Sequence, residues 1–513
     1  MKTTKSIVLL LACIGLLSAC NSEDMLYSEE SLADDSTFNW QAVLPTLDLT
    51  SGMILVEKGG SIKEAIDLAS PGDIIYVEPG IYHETLQSVK KDIRIVGIPG
   101  EDNEIAVLAN PGESILKIQP LEMSLTKSSR CCLTMNREDL GEGIAHYEFE
   151  VNMGTGAYDM VRIHRLVREY RPYRPVRTKG NVFMVHGGVQ DFEDIFLRYG
   201  AENINAETSA SFYLSSNEID VWGIDLAWNM VPLETADFEF MEDWGMEKDI
   251  QHSLRAMVIA RLIRGLTGQG FGKINLLGYS NGVMVAYGAA GLETQKHRML
   301  RHIQGIIPVD NHFKVTPGSE LDQYNCAQAE NVMEELNTGM FHNTMALVFM
   351  HFGSLALGAP EEASEAFPGL TNMQALMAVG SNHGAGFHFH GGTPFELYYT
   401  DSMRLARVAV ELGPYMPNKL MYDSYACPCS SLEVAFDDHL GEIRIPVLFI
   451  TAEGETPYED YTNTLIKSTD VTRLNVEDPE RPKEFDIGHG DIWAADNSAE
   501  WFWEPLRQWL LGH

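Results

Sequence analysis

Positive charge is scarce in this sequence. Its 513 residues include 37 lysines and arginines against 73 aspartates and glutamates, which gives a formal net charge of −36 at pH 7. An acidic surface of this kind repels phosphate backbones and anionic lipid headgroups. The composition therefore argues against a nucleic-acid-binding function, and we expect no nucleic-acid partner.

The sequence also lacks a familiar metal-binding spacing. Its 7 cysteines include two short groups, at 131–132 and 427–429, but neither has the ligand spacing of a zinc site. Three histidines occur within residues 383–390, without an acid or a cysteine at a familiar spacing. We predict no metal and no other cofactor, and we expect structural disulfides or buried thiols. The disulfide pairing cannot be read from the sequence.

The N-terminal apolar run, Ile7–Leu17, is too short to cross a membrane, since a spanning helix needs about 20 apolar residues. Lys2 and Lys5 precede it and small residues follow it, as in a secretory signal. Residues 17–20, Leu-Ser-Ala-Cys, resemble the lipobox of bacterial lipoproteins. The resemblance implies lipidation of Cys20 and anchoring to a bacterial cell-envelope membrane, with the outer membrane as first choice and the cell surface as an open alternative. An ordinary signal peptide cleaved nearby is the other interpretation.

Composition changes along the chain after the signal segment 1–20. Residues 21–50 are acidic and rich in serine, as in a flexible tether. Residues 51–120 contain short β-branched runs separated by Pro-Gly or charged turns, and "SPGDIIYVEPGIYHE" resembles the first coil of a pectate-lyase-like right-handed parallel β-helix. Because about three coils are needed to bury a continuous core, we expect a small β-helix-like spacer or carbohydrate-contacting module without lyase activity.

Residues 121–513 have the alternation of an α/β domain. A hairpin is predicted around the glycine-rich turn of "YEFEVNMGTGAYDMVRIHRL", and apolar strands then alternate with helices. Several strands are continuous apolar runs, which predicts a mostly parallel central sheet with helices on both faces. Between about 311 and 442 the alternation stops, which predicts a helical cap inserted into the domain.

The stretch "KINLLGYSNGVMVAYGAAG" carries the strongest chemical signal. Ser280 lies in a G-x-S-x-G pattern, with an apolar strand before it and apolar residues at helical spacing after it. A serine hydroxyl needs a base to act as a nucleophile, and the base needs an orienting carboxylate. His489 lies in a glycine-flanked loop near the C-terminus, and His-Gly-Gly at 186–188 follows an earlier strand. The alternative is a buried turn serine in an inactive domain.

These motifs, in this order, resemble the α/β-hydrolase superfamily from about residue 140 onward. Two further stretches, "DVWGIDLAWN" and "GHGDIWAADN", are similar to its acid-lipase branch. The resemblance implies Ser280 as the nucleophile and His489 as the general base. It also implies an oxyanion hole of backbone N–H groups, provided by Gly188 or Val189 together with Asn281.

The acid that orients His489 has three candidates. The branch usually has aspartate in the turn after the penultimate strand, where "AEGE" places Glu455. We take Glu455 as the first candidate, with Glu453 on the same turn as a minor one. Asp310, at the end of "IIPVDN", occupies a position that some lipases use and is the main alternative. Asp491 in "HGD" is interpreted as a local cap of the final helix.

The sequence thus predicts an exported serine hydrolase that cleaves carboxylic esters of lipid-like or apolar acyl groups through an acyl-enzyme. Three alternatives stay open. The protein could be an esterase that removes acetyl or feruloyl groups from glycans, an acyltransferase with the same triad, or a non-catalytic surface lipoprotein that binds glycan. The sequence does not determine the natural substrate or the oligomeric state.

Overall fold

The structure of the protein is a computed structural model. It describes residues 40–44, 47, 49, 51–84, 86, 91–100, 104, 106–108, 116–118, 133–380, 395, 397–452, 460–480 and 486–513. Several sequence predictions fall outside these residues, namely those on Cys20, on cysteines 131 and 132, on the histidines within 383–390, and on Glu453 and Glu455.

A small module precedes the main domain. Its strands are β1 (Met53–Val56), β2 (Ile74–Val77), β3 (Gly80–Tyr82), β4 (Arg94–Gly97), β5 (Ala106–Leu108) and β6 (Leu116–Lys117). Two short helices accompany them, α1 (Trp40–Val43) and α2 (Ile62–Leu68). Strands β1, β2 and β4 form a parallel sheet, whereas β5 pairs in parallel with β3 and antiparallel with β6. The likeness of this segment to a parallel β-helix stays a prediction.

The module is packed against the main domain. In β2, Ile75 and Val77 belong to the module's own apolar cluster, while Ile74 and Tyr76 belong to a cluster that they share with the main domain. Successive strand residues point to opposite faces. The continuous apolar run of β2 is therefore explained by burial on both faces, one of them by the main domain.

The main domain is built on one large sheet. Its strands, with the short pair β15 and β16 of the cap, are β7 (Leu133–Gly141), β8 (Ile144–Asn152), β9 (Met160–Arg171), β10 (Arg174–Pro175), β11 (Gly180–Val185), β12 (Ile219–Asp225), β13 (Ile274–Tyr279), β14 (Ile303–Val309), β15 (His342–Asn343), β16 (Met416–Pro417), β17 (Val447–Ala452) and β18 (Val471–Val476). The sheet order is β18-β17-β14-β13-β11-β12-β9-β8-β7, with β10 paired to β9. Neighbours from β18 to β12 are parallel, and β9, β8 and β7 continue the sheet antiparallel. The predicted hairpin and the mostly parallel sheet are confirmed.

Helices cover both faces of this sheet. In chain order they are α3 (Ala210–Ser216), α4 (Met246–Leu266), α5 (Gly282–Thr294), α6 (Glu320–Asn337), α7 (Met345–Gly358), α8 (Asn372–Gly380), α9 (Ser402–Glu411), α10 (Asn418–Ala426), α11 (Tyr461–Leu465), α12 (Asp491–Ala494) and α13 (Glu504–Gly512). In β11, Phe183 and Val185 face the cluster that includes α4 and α5, while Val182 and Met184 face the cluster that includes α3 and α13. Such double burial explains why the parallel strands read as unbroken apolar runs.

A helical cap lies between β14 and β17, where the sequence predicts it, and comprises α6 to α10. A disulfide joins Cys326 of α6 to Cys429, which follows α10, and Cys427 is a buried free thiol. Within the described part of the chain, no helix combines the length and apolar character that a membrane crossing requires.

Candidate active site

Ser280 lies on a tight turn between β13 and α5. Its φ is +54°, a left-handed backbone conformation that is uncommon outside glycine. A Cβ atom at Gly278 would collide with the carbonyl oxygen of Gly282, and one at Gly282 would collide with that of Val185. Both glycines are therefore forced by backbone crowding, as the G-x-S-x-G pattern predicts.

His489 is paired with a buried aspartate. Its Nδ1 lies 2.6 Å from Oδ2 of Asp310, a residue at the end of β14 whose side chain is fully buried. The other carboxylate oxygen of Asp310 accepts a hydrogen bond of 2.7 Å from the backbone N–H of Ala452, at the end of β17. This pair fixes the imidazole tautomer with hydrogen on Nδ1, so that Nε2 is the nitrogen able to accept a proton.

The structure thus brings the alternative acid, Asp310, against the histidine. The first candidate, Glu455, and the minor candidate, Glu453, lie outside the described residues. The carboxylate that the structure shows in contact with His489 is therefore that of Asp310.

Tyr279 also orients His489. Its ring stacks on the imidazole, with centroids 4.6 Å apart and an interplanar angle of 23°. Its hydroxyl donates a 3.0 Å hydrogen bond to the backbone carbonyl of His489. The residue before Ser280 therefore holds His489 in place, which the sequence did not indicate although the aromatic ring within the motif was visible.

The sequence suggested that Asp491 caps the final helix, but its carboxylate contacts other groups. Asp491 is the first residue of α12, is buried, and accepts hydrogen bonds from the backbone N–H of Gly488 at 3.1 Å and from Oγ1 of Thr400 at 2.6 Å. The interpretation failed because the carboxylate turns back toward the loop that carries His489. It connects that loop to the start of cap helix α9.

The predicted oxyanion residues lie beside the serine. A Cβ atom at Gly187 would be 2.8 Å from Cβ of Ser280, so residues 186–190, here called the oxyanion loop after the prediction, pass Ser280 at a distance that only glycine allows. Val189 has a φ of +55°, and Gly188 approaches Nδ2 of Asn281 so closely that an added Cβ would be 3.2 Å from it. The loop and Asn281 therefore lie next to Ser280, and an oxyanion hole formed by their N–H groups stays a prediction.

His186 holds this oxyanion loop. Its Nδ1 donates to the carbonyl of Gly187 at 2.8 Å, and its Nε2 accepts from the N–H of Leu226 and from Nδ2 of Asn229, both at 3.2 Å. Burial lowers the pKa of His186 to about 4, so it is neutral near pH 7. Asn229 also donates to the carbonyl of Gln190 at 2.7 Å; it is the last residue of the stretch "DVWGIDLAWN", which gave no indication of this role.

A second set of buried polar side chains, those of His146, His164 and Asp225, contacts the chain just after this loop. His164 Nδ1 lies 3.0 Å from Nε2 of His146, and His164 Nε2 lies 3.0 Å from Oδ2 of Asp225. Oδ1 of Asp225 accepts a 2.8 Å hydrogen bond from the N–H of Phe192, whose ring stacks on His164 at 4.5 Å. Burial lowers the pKa of His146 to about 3. Burial also disfavours the charged form of His164, but Asp225 outweighs it and raises the pKa of His164.

Glu193 is the third possible metal ligand in this group, beside His146 and His164. Its Oε1 lies 3.9 Å from Nδ1 of His146, whereas His164 faces the opposite ring nitrogen. One possible ligand atom from each of the three residues lies within 4.8 Å of the other two. The contacts of 3.0 Å between His146 and His164 and between His164 and Asp225 connect the group to the loop.

A cavity of about 440 Å³ opens above Ser280 and His489. One end is lined by the oxyanion loop, Tyr199, Tyr279, Ser280 and His489, and the remainder by the cap helices α7, α8, α9 and α10 together with Leu412. The apolar lining comprises Met345, Phe349, Leu376, Val379, Leu405, Val408, Ala409 and Leu412. Among the described residues that line it, none carries a charged side chain apart from the titratable His489. A neutral, largely apolar ligand fits this chemistry.

No protein-family model matches the sequence, and no curated protein sequence matches it. The structure is similar to that of a candidate lipase from Sulfolobus solfataricus, with a TM-score of 0.52 and 17% identity, covering 74% of this chain and 98% of that one. Two weaker similarities do not enter the fold assignment. An acetylester hydrolase from Corynebacterium glutamicum has a TM-score of 0.39 and 12% identity, covering 76% of this chain and 98% of that one. An α/β-hydrolase-fold protein from Chitinophaga pinensis has a TM-score of 0.34 and 10% identity, covering 74% of this chain and 97% of that one.

Proposed function

Because the chain has the α/β-hydrolase fold, we propose that it hydrolyses carboxylic esters through an acyl-enzyme on Ser280. The observation that supports this most strongly is the hydrogen-bonded pair of Asp310 and His489, because His489 lines the same cavity as Ser280 and Asp310 is fully buried. An ordered acid, base and nucleophile at the carboxyl ends of parallel strands is the arrangement that acyl transfer requires.

The proposed reaction has two stages. Nε2 of His489 accepts the proton of the Ser280 hydroxyl as the oxygen attacks the ester carbonyl, and it then protonates the departing alcohol. A water molecule, deprotonated by the same nitrogen, releases the acid. The N–H groups of Gly188 or Val189 and of Asn281 bind the developing oxyanion, and each such donor contributes about 3–4 kcal/mol to the transition state.

We assign the orienting acid to Asp310. Its carboxylate is held at both ends, by the N–H of Ala452 and by Nδ1 of His489, and its burial strengthens the interaction with an imidazolium. A carboxylate fixed in this way both selects the productive tautomer and stabilises the charge that His489 acquires.

The substrate is proposed to be a neutral ester with an apolar group, because apolar side chains line most of the cavity.

Export is also part of the proposal. The Cys326–Cys429 disulfide supports an oxidising compartment, and the lipobox-like sequence before Cys20 supports a lipid anchor in the bacterial envelope. Metabolic labelling with a fatty acid, lost in Cys20→Ala, tests the anchor; retention of label in that variant would reject it.

Hydrolysis of 4-nitrophenyl butanoate tests the activity. The wild-type protein is expected to release nitrophenol, and Ser280→Ala is expected to lose that release while keeping the same thermal unfolding midpoint. The buried Ser211, which lies outside the cavity, offers a matched serine-to-alanine control. Equal activity in Ser280→Ala would reject the proposal.

A second candidate is the removal of acyl groups from a glycan. It is favoured by a polar cleft of about 730 Å³ between the N-terminal module and the main domain, lined by Lys58, Ser61, Glu84, Lys273 and Arg301 among others. Such an enzyme would release acetate or ferulate from polysaccharide faster than it hydrolyses long-chain esters. The opposite preference would support the lipid-like substrate.

A further inference from the structure

Gly380, the last residue of α8, lines the cavity above Ser280 and has room for a Cβ atom among the described residues around it. A Cβ atom placed there would lie 3.8 Å from Cε1 of Phe349, 3.8 Å from Cδ1 of Leu405 and 4.0 Å from Cδ1 of Leu376. These are ordinary van der Waals distances, and all four residues line the cavity. The backbone does not require glycine at this point, since φ of Gly380 is not positive.

The helices around this space are held in place by other contacts. Helix α7 meets α9 at Gly353, where an added Cβ would lie 2.8 Å from Cβ of Ala409. Arg404 of α9 donates hydrogen bonds to the carbonyl oxygens of Tyr199 at 2.8 Å and Ala494 at 2.7 Å. The helices are therefore already in close contact with each other and with the core, so the space at Gly380 is not left by loose packing.

Unfilled apolar space lowers the stability of a protein, and apolar cavities bind apolar ligands. An alanine at position 380 fits in ordinary van der Waals contact with these side chains, and a longer apolar side chain would take up cavity volume. The absence of a side chain there is thus unfavourable for stability but leaves room for a ligand next to the catalytic groups.

We propose that the cavity accommodates one flexible apolar chain of the ester, and that the missing side chain at Gly380 sets the length of chain that it accepts. This inference rests on the proposed ester hydrolysis. The chain can belong to the acyl group or to the alcohol, since the same apolar lining suits both.

The test compares Gly380→Leu with Gly358→Leu. Gly358 is likewise the last residue of a cap helix, α7, but it is exposed, lies outside the cavity and has no atom within 4 Å of an added Cβ. The measured quantity is the ratio of kcat/KM for 4-nitrophenyl dodecanoate to that for 4-nitrophenyl acetate. The same ratio is measured for dodecyl acetate against ethyl acetate.

In Gly380→Leu, one of these two ratios is expected to fall at least about tenfold, since a mismatch of one methylene in an apolar pocket changes discrimination by about 10- to 200-fold. The ratio that falls identifies the acyl or the alcohol side. The thermal midpoint of Gly380→Leu is expected to equal or exceed that of the wild type, which separates a filled cavity from a damaged fold. Gly358→Leu is expected to leave both ratios unchanged.

Unchanged ratios in a folded Gly380→Leu variant would overturn the inference, provided the wild-type protein hydrolyses esters. A wild-type protein that neither hydrolyses any of these esters nor reacts with a fluorophosphonate would instead reject the proposed function itself. The two failures are therefore distinguishable.

Discussion

At the scale of single residues, the sequence singles out one candidate nucleophile and one candidate base, but it leaves three candidates for the acid. Ser280 is marked by glycines that backbone crowding imposes, and His489 by its place after the last strands. Carboxylates follow both β14 and β17, however, and spacing along the chain does not show which of them reaches the imidazole. The contact of Asp310 with His489 depends on the neighbouring N–H of Ala452, which only the folded sheet brings close.

Asp310→Asn is expected to lower kcat by roughly 10³- to 10⁴-fold, because an amide favours the wrong imidazole tautomer and does not stabilise the imidazolium. Steady-state hydrolysis of 4-nitrophenyl butanoate measures this. Glu455→Gln is the matched control and should retain near-normal activity. A large loss in Glu455→Gln with near-normal Asp310→Asn would transfer the role to the glutamate.

Asp249 gives a prediction on pH and stability. Burial raises its pKa to about 7, although Nε1 of Trp228 donates to it at 3.4 Å. The unfolded chain has the usual aspartate pKa of about 3.9, so the folded state binds a proton more tightly, and stability falls as pH rises from about 4 to 7. In Asp249→Asn, the part of this fall that Asp249 causes, at most about 1.4 kcal/mol per pH unit, should disappear, which leaves a shallower pH dependence of the free energy of unfolding.

Urea unfolding at several pH values between 4 and 8 measures the effect. The exposed Asp243→Asn controls for the loss of one negative charge. If Asp249→Asn keeps the wild-type pH dependence of stability, the raised pKa of Asp249 is not its source.

At the scale of elements, apolar periodicity predicts the strands, the helices and the position of the cap. It does not predict which cap side chains face the catalytic residues. Helix α7, "MALVFMHFGSLALG", is apolar almost all round, so its sequence does not show that Phe349 lines the cavity while Phe352 is buried among other helices. The contact of Thr400 with Asp491 is similarly invisible, because the two residues are 91 positions apart.

Thr400→Val is expected to lower the free energy of unfolding by about 1–3 kcal/mol, because a buried carboxylate oxygen of Asp491 loses its donor. It should also lower kcat, since Asp491 orients the loop that carries His489. Thr400→Ser retains the hydroxyl and serves as the control. Wild-type stability and kcat in Thr400→Val would show that the cap and the histidine loop are not coupled through this bond.

At the scale of the whole molecule, the sequence predicts two folded units but not how they meet. The apolar run of β2 indicates burial on both faces without indicating what covers the second face. In the structure, Tyr76 is 1% exposed within the cluster that includes α4 of the main domain. Buried Arg261 adds an ion pair of 2.8 Å to Glu57 of the module.

Tyr76→Ala is expected to destabilise the module and the main domain together, by about 3–5 kcal/mol, as for other large aromatic residues replaced in a core. Chemical unfolding should show a single transition at lower denaturant concentration. Ile81 of β3, in the module's other sheet, is 66% exposed and provides the control Ile81→Ala. Two separate transitions, with the main-domain transition unmoved, would contradict a shared core.

The central claim concerns Ser280 as an activated nucleophile, and fluorophosphonate labelling of the folded protein tests it most directly. Peptide mass spectrometry is expected to find one label per chain, on Ser280, with none in Ser280→Ala and slow labelling in Asp310→Asn. Folded wild-type protein that takes up no label, or takes it up on another residue, would contradict the account.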